Sequence, residues 1–399
     1  MTIALVAFWI ALGAVVLTTA LATSLRAFGA LTAARRERYR AEISEPLAAF
    51  AVGAVDDPPP PPAGRFEQRV LHEELARLAP HLKGDARAQL TGLFERYGLV
   101  ESVARDLRSE HPLTAIRAAE LAGIMHASEC VPTLRERLDG DPLVRLACAR
   151  ALAEIGAADA MPQIVAALAE SGTATELGHT LMSFGPRAEP VLREQLRSAP
   201  TDAQRRIAAS TLGEIHAHAA VADLVDALGD RDTELRAAAA RALGQIGEQS
   251  AGTALVALLV AAGGGRDVAC AAAATALGML DDPAGAAALV IALAAGDWDV
   301  RNAAARSLVA LGDRGLAEVA TRIDGLPSAA IAHFAGMLDV ADRLGPVIAR
   351  AAAGDPAMDR IARAACACGV RSRLRELATG GDEDVSGYAN ALLHEGSHT

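Results

Sequence analysis

Apolar residues recur at helical spacing along most of the chain, in segments separated by Gly, Asp or Pro. From Arg87 onward, an Arg or its substitute opens a run of small residues, with Gly or Ala near the eighth following position, as in 145–156 and 236–247. A second apolar-periodic segment follows each run, for example 130–138 and 221–228. One apolar stripe per segment predicts an amphipathic helix, and the joins predict turns. The repeating unit is therefore predicted to be an antiparallel helix pair.

The weaker copies of this unit align on the same frame. Their opening residues are Arg87, Arg117, Arg145, Ala174, Arg205, Arg236, Cys270, Arg301, Ser328, Arg360 and Val385. A period of about 30 residues is typical of a solenoid, in which each unit buries its apolar face against its neighbours. We therefore expect an all-α fold, an α-solenoid of about ten helix pairs over residues 65–399.

The best copies resemble the HEAT repeat family, in particular the short bacterial form seen in phycobilisome-lyase-type HEAT-like proteins. The resemblance rests on an Asp placed shortly before the Arg, as in 141–145, 232–236 and 299–301, and it covers roughly residues 85–396. It implies that Asp-to-Arg pairs tie neighbouring repeats together and that the second helix of each pair lies on the concave side. The repeated arginines are therefore expected to be framework residues. The resemblance does not name a ligand.

Three copies open without the Arg, at Ala174, Cys270 and Ser328. The ladder of Asp–Arg pairs is expected to be interrupted there. These places are candidates for a local bend or for a contact with a partner.

The first 25 residues carry no charged side chain. At about 1.5 Å per residue, a helix from Ile3 to Leu25 exceeds the roughly 30 Å of bilayer hydrocarbon. This predicts a single transmembrane helix within a first region, residues 1–43. The alternative is a cleaved signal peptide, because Ala20-Leu21-Ala22 resembles a peptidase site.

Basic residues follow this apolar segment but do not precede it. They are Arg26, Arg35, Arg36, Arg38 and Arg40. The positive-inside rule then places the amino terminus outside and the solenoid in the cytoplasm. We expect a single-pass protein of a bacterial inner membrane, which contacts the lipid bilayer through residues 3–25.

A proline-rich linker, residues 44–64, is predicted between the membrane region and the repeats. The first helix is expected to end near Ile43. The five consecutive prolines from Pro58 to Pro62 favour a stiff polyproline II spacer. Phe66 to Leu82 then has the apolar spacing of an amphipathic helix, which could cap the first repeat.

Composition narrows the classes of function. The chain is 52% hydrophobic but only 3% aromatic, so its cores must be built from Ala, Leu and Val. The net charge of −11 argues against nucleic acid as a partner, because phosphates require a basic surface. The cysteines do not form a disulfide-like framework and are expected to be small buried hydrophobes in a reducing cytosol: Cys130, Cys148, Cys270, Cys366 and Cys368.

One catalytic motif occurs, because His394-Glu395-Gly396-Ser397-His398 has the zincin spacing. A Gly and a Ser lie inside it, and no third ligand follows in the sequence. No Ser/His/Asp or Cys/His grouping stands out at an informative spacing. We therefore expect no metal, no cofactor and no catalytic residue.

Two functions of different classes remain. The first is a membrane-anchored, non-enzymatic scaffold or adaptor, which binds a protein partner, itself membrane-associated, at the cytoplasmic face. The contacts are expected from polar residues of the second helices and from an exposed aromatic in a turn: Arg135, Arg193, Asp223, Asp226, Arg322 and Trp298. The alternative, implied by the resemblance, is a lyase or isomerase acting on a chromophore or other cofactor. The anchor and an acidic, aromatic-poor groove favour the scaffold.

Overall fold

The computed structural model describes residues 2–82, 84–169, 180–182, 184–261, 267–280, 282–294, 297–380 and 382–395. For most of residues 2–29 the description is limited to the backbone. Within the described residues the regular secondary structure is entirely helical. The chain divides into two compact units, Met1–Ala160 and Met161–Thr399.

Long and short helices alternate in the first unit, with single 3-10 turns at several joins. The helices are α1 (Thr2–Ala51), α2 (Arg65–Leu78), α3 (Asp85–Arg96), α4 (Leu99–Leu107), α5 (Pro112–Ile124), α6 (Val131–Glu136) and α7 (Pro142–Ile155). The predicted opening residues Arg87, Arg117 and Arg145 fall in α3, α5 and α7, as expected for the first helix of each pair.

Helix α1 continues through Pro46 to Ala51, whereas the sequence predicted an end near Ile43. A proline inside a helix costs about 3 kcal/mol. Here Ile43, Leu47 and Ala51 are all buried, and burying one large aliphatic side chain contributes about 1.5–3 kcal/mol. Packing against the rest of the unit therefore offsets the proline, and the first part of the predicted linker is helical.

The docked part of α1 runs in the same direction as α2, because the contacting residues rise together in number. The Arg35 guanidinium lies 4.6 Å from the Phe66 ring centroid, and Arg77 donates to the Ser44 hydroxyl at 3.2 Å. The amphipathic helix predicted from Phe66 is thus confirmed as α2. It packs on α1 as well as on α5.

The proline-rich segment returns the chain from the end of α1 to the start of α2. Pro59 is buried, and the Tyr97 hydroxyl donates to its carbonyl oxygen. The segment therefore packs against the residue that follows α3. That this segment spaces the repeats from a bilayer stays a prediction.

No helix in the described part of the chain is both long and apolar enough to cross a membrane. The transmembrane helix predicted over residues 3–25 is therefore not supported by the structure. Most side chains of that segment lie outside the described residues.

The second unit continues the pairing of helices. Its helices are α8 (Met161–Ala169), α9 (Glu189–Ser198), α10 (Asp202–Glu214), α11 (Val221–Ala227), α12 (Thr233–Ile246), α13 (Gly252–Ala261), α14 (Val268–Leu280), α15 (Pro283–Leu293), α16 (Trp298–Ala310), α17 (Asp313–Arg322), α18 (Ser328–Val340), α19 (Leu344–Ala352), α20 (Pro356–Cys368), α21 (Arg371–Ala378) and α22 (Glu383–Glu395). The predicted opening residues from Arg205 onward all fall in first helices, namely α10, α12, α14, α16, α18, α20 and α22. Ala174 lies outside the described residues.

First helices of neighbouring repeats pack almost backbone to backbone. A Cβ atom added to Gly213 would lie 2.6 Å from the Ala242 Cα, and one added to Gly244 would lie 2.8 Å from the Ala276 Cα. Such distances leave no room for a methyl group. The Ala- and Gly-rich composition of these helices is therefore what lets them form a tightly packed layer, in which each helix exposes only a narrow strip.

Two of the repeated arginines tie neighbouring repeats together. Arg205 donates to the Asp230 carboxylate at 2.6 Å, and Arg236 to Asp267 at 2.7 Å. Asp267 also accepts the backbone N–H of Ala269 at 2.8 Å and so caps α14. The framework role predicted for Arg205 and Arg236 is confirmed.

Candidate functional site

Arg193 and Asp223, two of the predicted contact residues, form an ion pair with each other. The Arg193 Nε lies 2.6 Å from an Asp223 carboxylate oxygen, and Arg197 reaches the other oxygen at 3.4 Å. The pair joins α9 to α11. It links the second helices of adjacent repeats. Two of the charged groups that were predicted to contact a partner are therefore paired with each other.

The three other predicted polar residues have different surroundings. In the first unit, Arg135 pairs with Asp159 at 2.9 Å. In the second unit, Arg322 pairs with Glu318 on its own helix at 3.0 Å. Asp226 is exposed on α11. Four of these five predicted polar residues are thus engaged in ion pairs within their own unit, and Asp226 is exposed.

Trp298, the first residue of α16, is 60% exposed. Its ring meets the His333 ring of α18 edge-on, with the centroids 6.1 Å apart. The His333 Nε2 lies 3.3 Å from the Asn302 side-chain oxygen. Burial, with the nearby Arg301 charge, lowers the pKa of His333. A neutral imidazole thus supports one edge of the indole, while the rest of the indole remains exposed.

A groove of about 760 Å³ lies between α14 and α16; Asp297 and Asp299 line it, whereas Trp298 between them does not. Val268 and Met279, at the two ends of α14, line it and are 51% and 58% exposed. Its floor is narrow because a Cβ atom on Gly278 would lie only 3.0 Å from the Ser307 Cα. The groove is thus a direct product of the close packing of first helices.

The α14 wall is uncharged, since α13, α14 and α15 contain no charged residue. The α16 wall carries Asp299 and, two turns further on, Arg306. Both are exposed, and neither side chain has an ion-pair or hydrogen-bond partner among the described residues. Asp297 differs, because its carboxylate caps α16 by accepting the N–H of Asp299 at 3.0 Å.

The sequence reasoning placed the site on the second helices and so missed this groove. Two signals pointed to it. One is that the helices α13, α14 and α15 contain no charged residue and still expose large apolar side chains. The other is the missing Arg at Cys270, a position that was noted as a candidate for a partner contact.

A second, smaller cleft of about 370 Å³ lies in the first unit, between α2 and α5. His72 and Asp106 line it, and the His72 Nε2 lies 3.2 Å from the Ser102 hydroxyl oxygen. These residues lie on α2 and α4, so their proximity was not visible from the sequence. Burial lowers the pKa of His72, and the Asp106 charge opposes this.

The hydroxyl of Ser102 is not presented to this cleft as a nucleophile. Ser102 is buried, and its hydroxyl donates to the Leu99 carbonyl of its own helix at 3.1 Å. The His72 ring also packs 6.4 Å from the Phe94 ring. These contacts indicate that Ser102 and His72 have a packing role, in which they join α2 to α4.

Within the described part of the chain, no group of three or more His, Cys, Asp or Glu side chains could hold a metal ion. Residues 396–398 of the zincin-like motif lie outside the described residues. The cysteines are free. Burial raises the pKa to about 11 for Cys130, about 12 for Cys148 and about 11 for Cys270, so these thiols stay protonated at neutral pH.

Comparison with protein families gives a match to HEAT repeats over residues 101–176 and 189–269. Comparison with curated proteins gives no match. Among solved structures, a Kap121p mutant is 11% identical over 87% of this chain and 41% of that one, with a TM-score of 0.52. This likeness supports the helical fold alone.

Two further solved structures are similar at lower TM-scores. An engineered protein is 21% identical over 84% of this chain and 95% of its own, with a TM-score of 0.34. The phycocyanin lyase complex of Nostoc sp. PCC7120 is 21% identical over 57% of this chain and 94% of its own, with a TM-score of 0.27. The matched segments, the helix pairs and the close first-helix packing agree: residues 101–176 and 189–269 are HEAT repeats of a helical solenoid.

Proposed function

We propose that this chain is a non-enzymatic adaptor, which binds a protein partner in the groove between α14 and α16. The supporting observation is an open, largely apolar groove lined by the exposed side chains of Val268 and Met279. Exposed large apolar side chains that line a groove are typical of protein-interaction sites. HEAT repeats generally mediate protein–protein interaction.

Of the contact residues expected from the sequence, Trp298 lies in the first turn of α16, but its ring packs toward His333 of α18 and does not line the groove. Asp226 is exposed on α11 and remains a candidate contact. The other four side chains take part in ion pairs within the chain: Arg135, Arg193, Asp223 and Arg322. We therefore propose the groove as the main contact surface.

The adaptor is further proposed to be attached to a bacterial inner membrane through residues 3–25, with its repeats in the cytoplasm and its partner membrane-associated. The support is the charge-free sequence of residues 1–25 and the arginines that follow it. A reporter fused after Thr399 should be active if it requires the cytoplasm and inactive if it requires the periplasm. The opposite result would overturn the orientation.

The alternative function, a lyase or isomerase acting on a chromophore or other cofactor, has less support. The described lining of the groove contains neither Cys nor His, the side chains best suited to attach or protonate such a group. Copurification of a coloured or cofactor-bearing protein would favour this alternative.

The adaptor function can be tested in cells by a photo-crosslinking residue placed at Ala303 on the groove wall. A matched control carries the crosslinker at Ile291, which is 56% exposed on the second helix α15. We expect an adduct with one partner at position 303 and none at 291. Thr275→Trp, which fills the groove from α14, should abolish the adduct. Equal adducts at both positions, or an adduct that persists in Thr275→Trp, would contradict the proposal.

A further inference from the structure

We propose that the partner presents an amphipathic helix to the groove, lying antiparallel to α14 and α16. This inference rests on the proposed function. It follows from the direction of the two walls, from the charges at their ends and from the hydrogen bonding of the groove's backbone.

The two walls run in the same direction. Asp267 and Asp297, which precede the first residues of α14 and α16, both line the groove, and Gly278 meets Ser307 toward the other end of both helices. Each wall is 13 residues long, or about 20 Å at 1.5 Å per residue. The groove therefore matches a partner helix of about three to four turns.

The walls favour a helix over an extended segment. They are helical, so their backbone N–H and C=O groups are already hydrogen bonded within α14 and α16. An extended peptide would find few backbone partners in such a groove, whereas a helix satisfies its own backbone groups. Val268, Ala271 and Met279 on one wall and Ala303 on the other offer apolar contacts to the apolar face of that helix.

The charges set the orientation. Asp299 lies at the end where α14 and α16 begin, and Arg306 lies two turns further along. A helix antiparallel to the walls places its last turn near Asp299 and its first turn near Arg306. Helices favour basic residues in the last turn and acidic residues in the first turn. In the antiparallel orientation, a basic last turn of the partner helix lies near Asp299 and an acidic first turn lies near Arg306. The charges that stabilise the partner helix therefore also pair with the groove.

Two synthetic 14-residue peptides of identical composition provide the test. Both carry one Leu face at helical spacing. The first peptide has Glu in its first turn and Arg in its last turn, and the second has the two exchanged. Fluorescence anisotropy with the full chain should show that the first peptide binds about three- to tenfold more tightly, as expected for two exposed ion pairs.

The double variant Asp299→Arg/Arg306→Glu should reverse this preference, because both side chains are exposed and their exchange does not disturb the core. Asp384→Arg, an equally exposed change at the second residue of α22, should leave the preference unchanged. Equal affinities, or a preference that survives the double variant, would overturn the antiparallel orientation. Binding of neither peptide would overturn the inference as a whole.

The crosslinking experiment separates this inference from the function on which it rests. If neither peptide binds but the adduct at position 303 forms and is lost in Thr275→Trp, the adaptor function stands and the helix is wrong. If the adduct is also absent, both fail. An adduct between two copies of this chain would show self-association in the groove and would overturn the partner helix.

Discussion

Single residues decide how closely the repeats can approach. Gly244 faces the Ala276 Cα across the contact between α12 and α14, and Gly278 faces Ser307 in the same way at the next contact. The repeated arginines were predictable, because an Asp shortly before an Arg recurs in the sequence. The contacts of these glycines were not predictable, because a sequence does not show whether a neighbouring helix packs against a helical Gly.

Gly244→Ala is expected to destabilise the protein by about 1–3 kcal/mol, although Ala is the better helix former. The added methyl group would lie 2.9 Å from the Ala276 Cβ as well as 2.8 Å from its Cα. Gly336→Ala on α18 is the matched control, since nothing lies within 4 Å of its added Cβ. That change should stabilise by about 0.5–1 kcal/mol. Urea unfolding followed by circular dichroism measures both, and a loss of stability in both variants would contradict the prediction.

His72 should make the first unit sensitive to mild acid. Burial lowers the pKa of His72 in the folded state below its ordinary value of 6.5, so the unfolded chain binds the proton more readily. Stability is then complete above about pH 6.5 and falls as the pH drops below it. Hydrogen exchange in residues 65–78 should speed up between pH 7.5 and 5.5, after correction for the intrinsic pH dependence. His72→Phe should remove this component, and an unchanged profile would contradict it.

At the scale of elements, a network of charges joins α1 to α2. The Glu74 side chain is fully buried, yet its carboxylate accepts hydrogen bonds from the Arg77 guanidinium and lies 3.7 Å from the Arg40 Nε. Burial raises the pKa of Glu74, but hydrogen bonds from Arg77 and Ser44 outweigh it and hold the pKa below the usual value. The carboxylate therefore stays charged and links the two helices.

Glu74→Ala is expected to loosen the docked part of α1, because it leaves the buried Arg40 Nε without its nearest carboxylate. We expect a loss of about 1–3 kcal/mol and faster hydrogen exchange in residues 36–51. Glu37→Ala is the matched control: Glu37 also pairs with Arg40, at 3.1 Å, but its side chain is 71% exposed. Equal effects of the two changes would argue against the importance of the buried contact.

The sequence predicted the helix pairs well because each element repeats one apolar period. It failed where tertiary packing overrides a local signal. Pro46 and the following prolines marked the end of a helix and a spacer, but burial of Leu47 and Ala51 extended α1. The groove was missed for a related reason, since periodicity shows that a helix has an exposed strip without showing that two exposed strips border a groove.

At the scale of the whole molecule, both units are built from small side chains rather than from cross-links. The cysteines are distributed over both units and are all free. Each lies on or beside a repeat helix, where it packs against neighbouring side chains and forms no disulfide bond. The compartment assigned from cysteine usage remains a proposal.

Alkylation of the native protein at pH 7.5 should modify Cys368 alone, because it is partly exposed while the other four cysteines are buried. Burial also raises the pKa of the buried thiols, which keeps them unreactive. In urea all five should react. Mass spectrometry of the labelled peptides checks both states, and rapid native labelling of Cys148 would contradict the packing of α7.

The continuous helix α1 also has a mechanical consequence. The carboxyl-terminal part of α1 packs against α2 and α3. The described side chains from Thr19 to Leu31 are all exposed. Residues 19–34 thus form a projecting stretch of helix of about 24 Å, at 1.5 Å per residue. A tilt of about 5° where α1 meets α2 would move the amino-terminal end of this stretch by about 2 Å. A force applied to the amino-terminal part of α1 therefore acts as a torque on the contacts of α1 with α2 and α3. The buried Glu74 contact lies near the pivot of that rotation.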